Sequence, residues 1–165
     1  MVKMKISFIL NGRPAEGEAV PAQTAVSFLR DSMDQRSVKE GCGIGECGAC
    51  TIIVNGLAVT SCLMTAAQLD GATVETTEGL AKSGNLHPLQ ESFIQHNAIQ
   101  CGYCTPGALM SAKALLAENP EPTRREIRKA LAGNLCRCTG YQQIVDAVED
   151  AAKAMRGKTD GEGCR

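Results

Sequence analysis

A chain of 165 residues allows one domain or two small ones, and a formal net charge of −1 leaves no basic footprint for nucleic acid. Aromatic residues are only 3% of the chain and Trp is absent, so a core must be assembled mostly from Ala, Leu, Ile and Val. Such a core is thin, and metal cross-links would strengthen it. The N-terminal stretch MVKMKISFILNG is basic and then apolar, but its apolar run of about five residues is too short for a signal-peptide h-region. No run approaches a membrane span. The expected location is the cytoplasm.

Residues 3–10 alternate, with Met4, Ile6, Phe8 and Leu10 on one face and Lys3, Lys5 and Ser7 on the other, which predicts a half-buried strand. Asn11-Gly12 is a type I′ hairpin signal, so residues 13–20 return as a second strand. Thr24 is placed to cap a helix whose Val26, Leu29 and Met33 form an apolar face. Residues 51–54, Asn55-Gly56 and 57–60 read as a second hairpin, and 72–76 as a short strand. Two hairpins with a helix between them predict a small mixed sheet with the helix packed across it.

The period changes near residue 77, and Glu78-Gly79 and residues 82–85 read as connectors. Pro88 suits the first position of a helix, with Leu89, Phe93 and Ile94 behind it. Thr105-Pro106 opens a second helix, which Asn119-Pro120 stops. Thr123 and Glu126 form a capping box for a third, ended by Gly133. Thr139 and Gln142 form another box for a fourth, with Ile144, Val148, Ala151 and Met155 at helical spacing. The expected organisation is therefore α+β: a first unit over 1–78, an all-α unit of four helices over 79–156, and a disordered tail over 157–165.

The segment GCGIGECGACTIIVNGLAVTSC, residues 41–62, carries Cys42, Cys47, Cys50 and Cys62. The spacing C-x4-C-x2-C…C is that of plant-type [2Fe–2S] ferredoxins. Glycines at 41, 43, 45 and 48 let a loop wrap a cluster closely and leave backbone N–H groups open to sulfur. Disulfides are an alternative, disfavoured for a chain without a signal peptide. Zinc is another, although zinc knuckles rarely need four glycines in one loop.

Cys101-x2-Cys104 and Cys136-x-Cys138 form a second constellation, the pairs separated by 31 residues. Each pair precedes an expected helix N-terminus, where free N–H groups and the dipole favour negative charge by a few tenths to about 1 kcal/mol. Four thiolates around a ferric [2Fe–2S] centre carry about −2 formal charge. Structural zinc built from two close cysteine pairs remains open on spacing alone.

The motifs GCGIGECGACT, QCGYCTPG at 100–107 and AGNLCRCTGYQ at 132–142 occur in that order. Together they resemble the small iron–sulfur subunit of the xanthine oxidase family of molybdenum hydroxylases. The likeness covers about residues 3–155 and departs at none of the eight cysteines. It implies a β-grasp plant-type ferredoxin-like domain followed by a four-helix-bundle domain, each holding one [2Fe–2S] cluster. It also implies a large partner subunit that holds a molybdopterin cofactor and a medium subunit that binds FAD. Such a complex is a hetero-oligomer, a dimer of heterotrimers being one form. Gln100 and Cys138 then touch the pterin. Electrons from the molybdenum site pass through both clusters to the flavin or another acceptor. The alternatives are a free two-cluster ferredoxin and a zinc-stapled interaction module. The substrate, whether purine, nicotinate-like heterocycle, aldehyde, acyl thioester or carbon monoxide, is not legible in this chain.

Among the remaining residues, Cys164 reads as a free thiol in the tail and His96 as a surface helix residue. Arg137 either offsets sulfur charge or faces solvent. Tyr103 and Tyr141 are expected to pack over a cluster. Lys39-Glu40 reads as an exposed charged pair.

Overall fold

The computed structural model describes residues 3–159. Strand β1 (Met4–Leu10) pairs antiparallel with β2 (Arg13–Ala19), and β3 (Thr51–Val54) antiparallel with β4 (Leu57–Thr60). β5 (Thr73–Glu75) lies between the hairpins, parallel to β1 and antiparallel to β3, giving one mixed sheet in the order β2-β1-β5-β3-β4. Both Asn-Gly turns have positive φ at the two central residues, as type I′ geometry requires. The alternation in β1 puts Ile6, Phe8 and Leu10 inside, each side chain contributing about 1.5–3 kcal/mol when fully buried.

Thr24 caps the first helix as expected, its hydroxyl accepting from Ser27 N at 3.3 Å. That helix, α1 (Ala25–Ser27), widens at once into a π turn over Phe28–Ser32, closed by Met33 N donating to Phe28 O. Phe28 and Leu29 are fully buried against the sheet. The Phe28 ring lies over Gly17 of β2, where a Cβ would come within 2.8 Å of it, so the close approach depends on glycine.

Four longer helices follow: α2 (Pro88–Gln95), α3 (Thr105–Glu118), α4 (Arg124–Ala130) and α5 (Gln142–Thr159). Thr123 and Glu126 form the expected reciprocal capping box on α4. His87 and Gln90 form one on α2 that the sequence reading did not anticipate. The box expected of Thr139 and Gln142 is not made. α5 starts at Gln142 itself, the Thr139 hydroxyl accepts from Tyr141 N at 3.2 Å, and the Gln142 amide bonds Asp146 instead. α5 also runs through Gly157 to Thr159, into the segment expected to be a tail. Residues 160–165, with Cys164, lie outside the described residues.

Buried side chains gather into two clusters. One lies between the sheet and α1, with Ile6, Phe28, Leu29, Ile52 and Val74 at its centre. The other lies among α2–α5, with Leu89, Phe93, Met110, Ile127 and Val148. β3 is buried at all four positions and is the shared wall: Ile52 and Val54 face the first cluster, and Ile53 faces the second. An ion pair between Lys113 on α3 and Glu75 on β5 adds a polar tie across the same seam. Among the described residues no helix is long and apolar enough to cross a membrane.

Candidate metal centres

The first three cysteines of the 41–62 segment sit on the irregular loop between α1 and β3, and Cys62 on the short turn after β4. The β3–β4 hairpin thus carries Cys62 back beside Cys50. Cys42 lies beside Cys47, and Cys62 beside Cys50 with Cys42 also near it. Cys50 and Cys62 are buried while Cys42 and Cys47 are half-buried. The backbone N–H groups of Ile44 and Cys47 point at Cys42 Sγ, at 3.5 and 3.4 Å. These donors stabilise the thiolate and bring Cys42 down to about 6. Burial, with the neighbouring Cys50 thiol, pushes Cys62 up to about 11.

In the second constellation Cys101 faces Cys138, and Cys104 faces Cys136. Cys104 is the residue immediately before α3, and no side chain caps that helix end. Cys136 and Cys138 stand before α5, separated from it by the turn through Tyr141 (φ +70°), so only α3 presents its first N–H groups directly behind a cysteine. Burial drives Cys104 up to about 12. Burial also acts on Cys136, but the Thr139 hydroxyl at 3.1 Å and the Thr139 N–H at 3.4 Å outweigh it and bring the thiol down to about 7. Cys138 is raised, first through its contact with Cys101. Cys101 and Cys138 are the exposed pair and Cys104 and Cys136 the half-buried pair.

All eight of these cysteines are free thiols, so the disulfide alternative does not hold for them. Among the described residues no three Cys, His, Asp or Glu side chains converge as ligands of one ion. A two-iron centre takes two thiolates at each iron, and each quartet supplies the four that this needs. A side chain at position 41 would not fit beside the first quartet, since a Cβ on Gly41 would stand 2.9 Å from Cys47 Sγ.

Gln100 is exposed on the bend just before Cys101 and does not cap α3. Tyr103 is 47% exposed, and its hydroxyl donates to Glu40 O at 2.7 Å. The Tyr141 hydroxyl accepts from Cys136 N at 2.9 Å, so this ring is fastened to a cysteine loop. His96 closes α2 and pairs with Asp150 of α5 at 3.4 Å, which fits its expected surface place. Arg137 is exposed, as is Glu40, while Lys39 is half-buried.

Sequence reasoning missed three residues here. Thr139 was read as a helix cap and serves the Cys136 sulfur. The buried Asn134 donates to Gly48 O at 3.1 Å. Gly107 lies against that same carbonyl, where a Cβ would be 2.1 Å away. Both lie within the motif segments, but their roles depend on a contact with Gly48, 86 residues from Asn134 in the chain.

Residues 8–81 match the family described as "2Fe-2S iron-sulfur cluster binding domain", and residues 76–149 match "[2Fe-2S] binding domain". The chain is 49% identical to the nicotinate dehydrogenase small FeS subunit of Eubacterium barkeri, over 93% of this chain and 98% of that one. It is 48% identical to the xanthine dehydrogenase iron-sulfur-binding subunit of Escherichia coli O157:H7, over 90% and 94%. Its structure superposes on a chain of quinoline 2-oxidoreductase from Pseudomonas putida 86 with a TM-score of 0.91, at 44% identity, covering 94% of this chain and 97% of that one. The chain therefore belongs to the small iron–sulfur subunits of the xanthine oxidase family, oxidoreductase subunits with two [2Fe–2S] binding domains.

Proposed function

We propose that this chain is the electron-transfer subunit of a molybdopterin-dependent hydroxylase and that its eight cysteines hold two [2Fe–2S] centres. Cys42, Cys47, Cys50 and Cys62 form one site, and Cys101, Cys104, Cys136 and Cys138 the other. The observation that carries the reading is that the fold brings the four thiols of each quartet together, Cys62 beside Cys50 and Cys42, and Cys104 and Cys138 beside Cys136 and Cys101. When bound, such centres supply one-electron relay chemistry. The chain's own residues hold and orient them. Ile44 and Cys47 N–H groups serve one sulfur, and Thr139 serves another through both its hydroxyl and its N–H. The first unit is read as β-grasp, plant-type ferredoxin-like, over 1–78. The second is read as a four-helix bundle over 79–156.

The partners belong to the same reading. A large subunit would hold the molybdopterin, and its contact on this chain would be Gln100 and Cys138. Support comes from the exposure of Gln100, Cys101 and Cys138 on one bend-rich face, with Ile99 and Leu135 exposed beside them. Apolar side chains at an exposed ligand edge suit a surface that a partner covers. The first quartet would pass the electrons on to the outgoing acceptor, an FAD-bearing medium subunit. We place the assembly in the cytoplasm as a hetero-oligomer, a dimer of heterotrimers being one form.

Purification of the intact complex tests this. Iron and labile sulfide near four each per chain are expected, as two two-iron centres require. Zinc in place of iron, or a chain isolated as a monomeric iron–sulfur carrier with no co-purifying subunit, would refute the assignment.

A further inference from the structure

We propose that Tyr103 is a positioning residue that fixes the two cysteine loops against each other, and through them the coupling between the two [2Fe–2S] centres. The inference rests on the reading that each quartet holds one centre.

Tyr103 stands between Cys101 and Cys104, two thiols of the second quartet. Its hydroxyl leaves that loop and donates to Glu40 O at 2.7 Å, two residues before Cys42 of the first quartet. The ring edge follows the same route. A Cβ built on Gly41 would stand 3.6 Å from Tyr103 Cε1 and 2.9 Å from Cys47 Sγ, so ring and sulfur border one small space. A side chain rooted between two thiols of the second quartet therefore binds the backbone of the first loop and lines the space beside its Cys47 sulfur. A ring that merely kept water away would need no hydroxyl, and Tyr103 is 47% exposed, which makes it a poor seal.

The other ties between the loops act elsewhere. Leu135 N donates to Cys47 O at 2.9 Å, and Asn134 Nδ2 to Gly48 O at 3.1 Å. They hold the Cys47–Gly48 end of the first loop, whereas Tyr103 holds its Glu40–Cys42 end. Between these anchors the loop follows the positive-φ glycines Gly43 and Gly45, which stiffen nothing by themselves. With the hydroxyl bond gone, the Cys42 end would move relative to Cys101 and Cys104 while the Cys47 end stayed put.

The test uses the purified complex with Tyr103→Phe, which keeps the ring, and Tyr103→Leu, which removes it. Two readouts are taken: the spin–spin splitting between the two reduced centres in the paramagnetic spectrum, and hydrogen exchange of amides 41–47. In Tyr103→Phe, four irons per chain are retained and α3 amides exchange as in the wild type. Amides 41–47 exchange roughly fivefold faster, the effect of one lost hydrogen bond. The splitting changes in Tyr103→Phe and changes further in Tyr103→Leu. Unchanged splitting in both variants overturns the proposal, as does faster exchange spread equally over α3, which would mark general loosening. Failure of the underlying cluster reading is seen separately, as wild-type complex without iron.

Discussion

The backbone N–H of Leu135 donates to the carbonyl oxygen of Cys47 at 2.9 Å. Cys47 is a thiol of the first quartet, and Leu135 is the neighbour of Cys136 in the second. One main-chain hydrogen bond thus joins the two candidate centres, and Asn134 repeats the contact on the next carbonyl, that of Gly48. The Gly48 oxygen also accepts from Thr51 N at 3.1 Å and the Thr51 hydroxyl at 2.7 Å. This crowded carbonyl is where the Asn134 side chain ties the second loop to the first.

Gly48→Ala is expected to break that junction. Gly48 has φ +67°, and a Cβ there would lie 2.2 Å from Gly133 O. Left-handed backbone costs about 1–2 kcal/mol, and overpacking adds roughly 1–3 kcal/mol. The thermal midpoint should fall by on the order of 10 °C. Gly84→Ala, at φ +82° with nothing within 4 Å, is the control and should lose only about 1 kcal/mol. Equal midpoints for the two variants would show that the contact at Gly48 is slack.

Cys47→Ser should abolish one paramagnetic signal in the complex and leave the other. The quartets share no thiol, and the Leu135 bond goes to the Cys47 carbonyl, which the substitution keeps. Loss of both signals from a soluble, folded variant would mean that the two centres assemble as one.

Gln100→Ala should leave both centres assembled yet slow reduction of the helical one by substrate, followed by rapid-mixing spectroscopy. Gln100 is exposed beside Cys101 and does not cap α3, so its loss should not disturb the helix. Its amide both donates and accepts, which suits the mixed edge of a pterin. The net loss of about 1 kcal/mol per hydrogen bond corresponds to a several-fold effect. A substrate-reduction rate equal to wild type would remove Gln100 from the cofactor contact.

Thiol chemistry offers a pH test on metal-depleted protein. Cys42 lies at about 6 and Cys136 at about 7, whereas Cys62 lies at about 11 and Cys104 at about 12. Thiolates, not thiols, are alkylated. At pH 7.5 iodoacetamide should label Cys42 and Cys136 first, and labelling of Cys62 and Cys104 should rise steeply only above pH 10. Mass-spectrometric mapping reads this directly; uniform labelling at pH 7.5 would contradict the local environments described.

Much was determined by sequence alone because it is encoded at short range. The Asn11-Gly12 and Asn55-Gly56 turns need positive φ, which those residues tolerate, and the flanking strands inherit their register. The alternation of Ile6, Phe8 and Leu10 faces one core, and the starts of α2, α3 and α4 follow from Pro88, Thr105-Pro106 and Thr123. The eight cysteines were legible because ligand spacing is a local property. The start of α5 was misread because the Thr139 hydroxyl is taken up locally, donating to the Cys136 sulfur and accepting from Tyr141 N–H instead of capping the helix end.

Only the tertiary structure decided how the quartets meet. No local pattern says that Cys104 comes beside Cys136, or that Tyr103 reaches Glu40. Those contacts join residues 32 and 63 positions apart in the chain. The side chain of Ile53 illustrates the reason. In a strand buried at all four positions it could face either core, and the fold assigns it to the second. Sequence periodicity specifies which side chains are buried; the burial partner is fixed by long-range packing, whose closure entropy and steric fit no single segment contains.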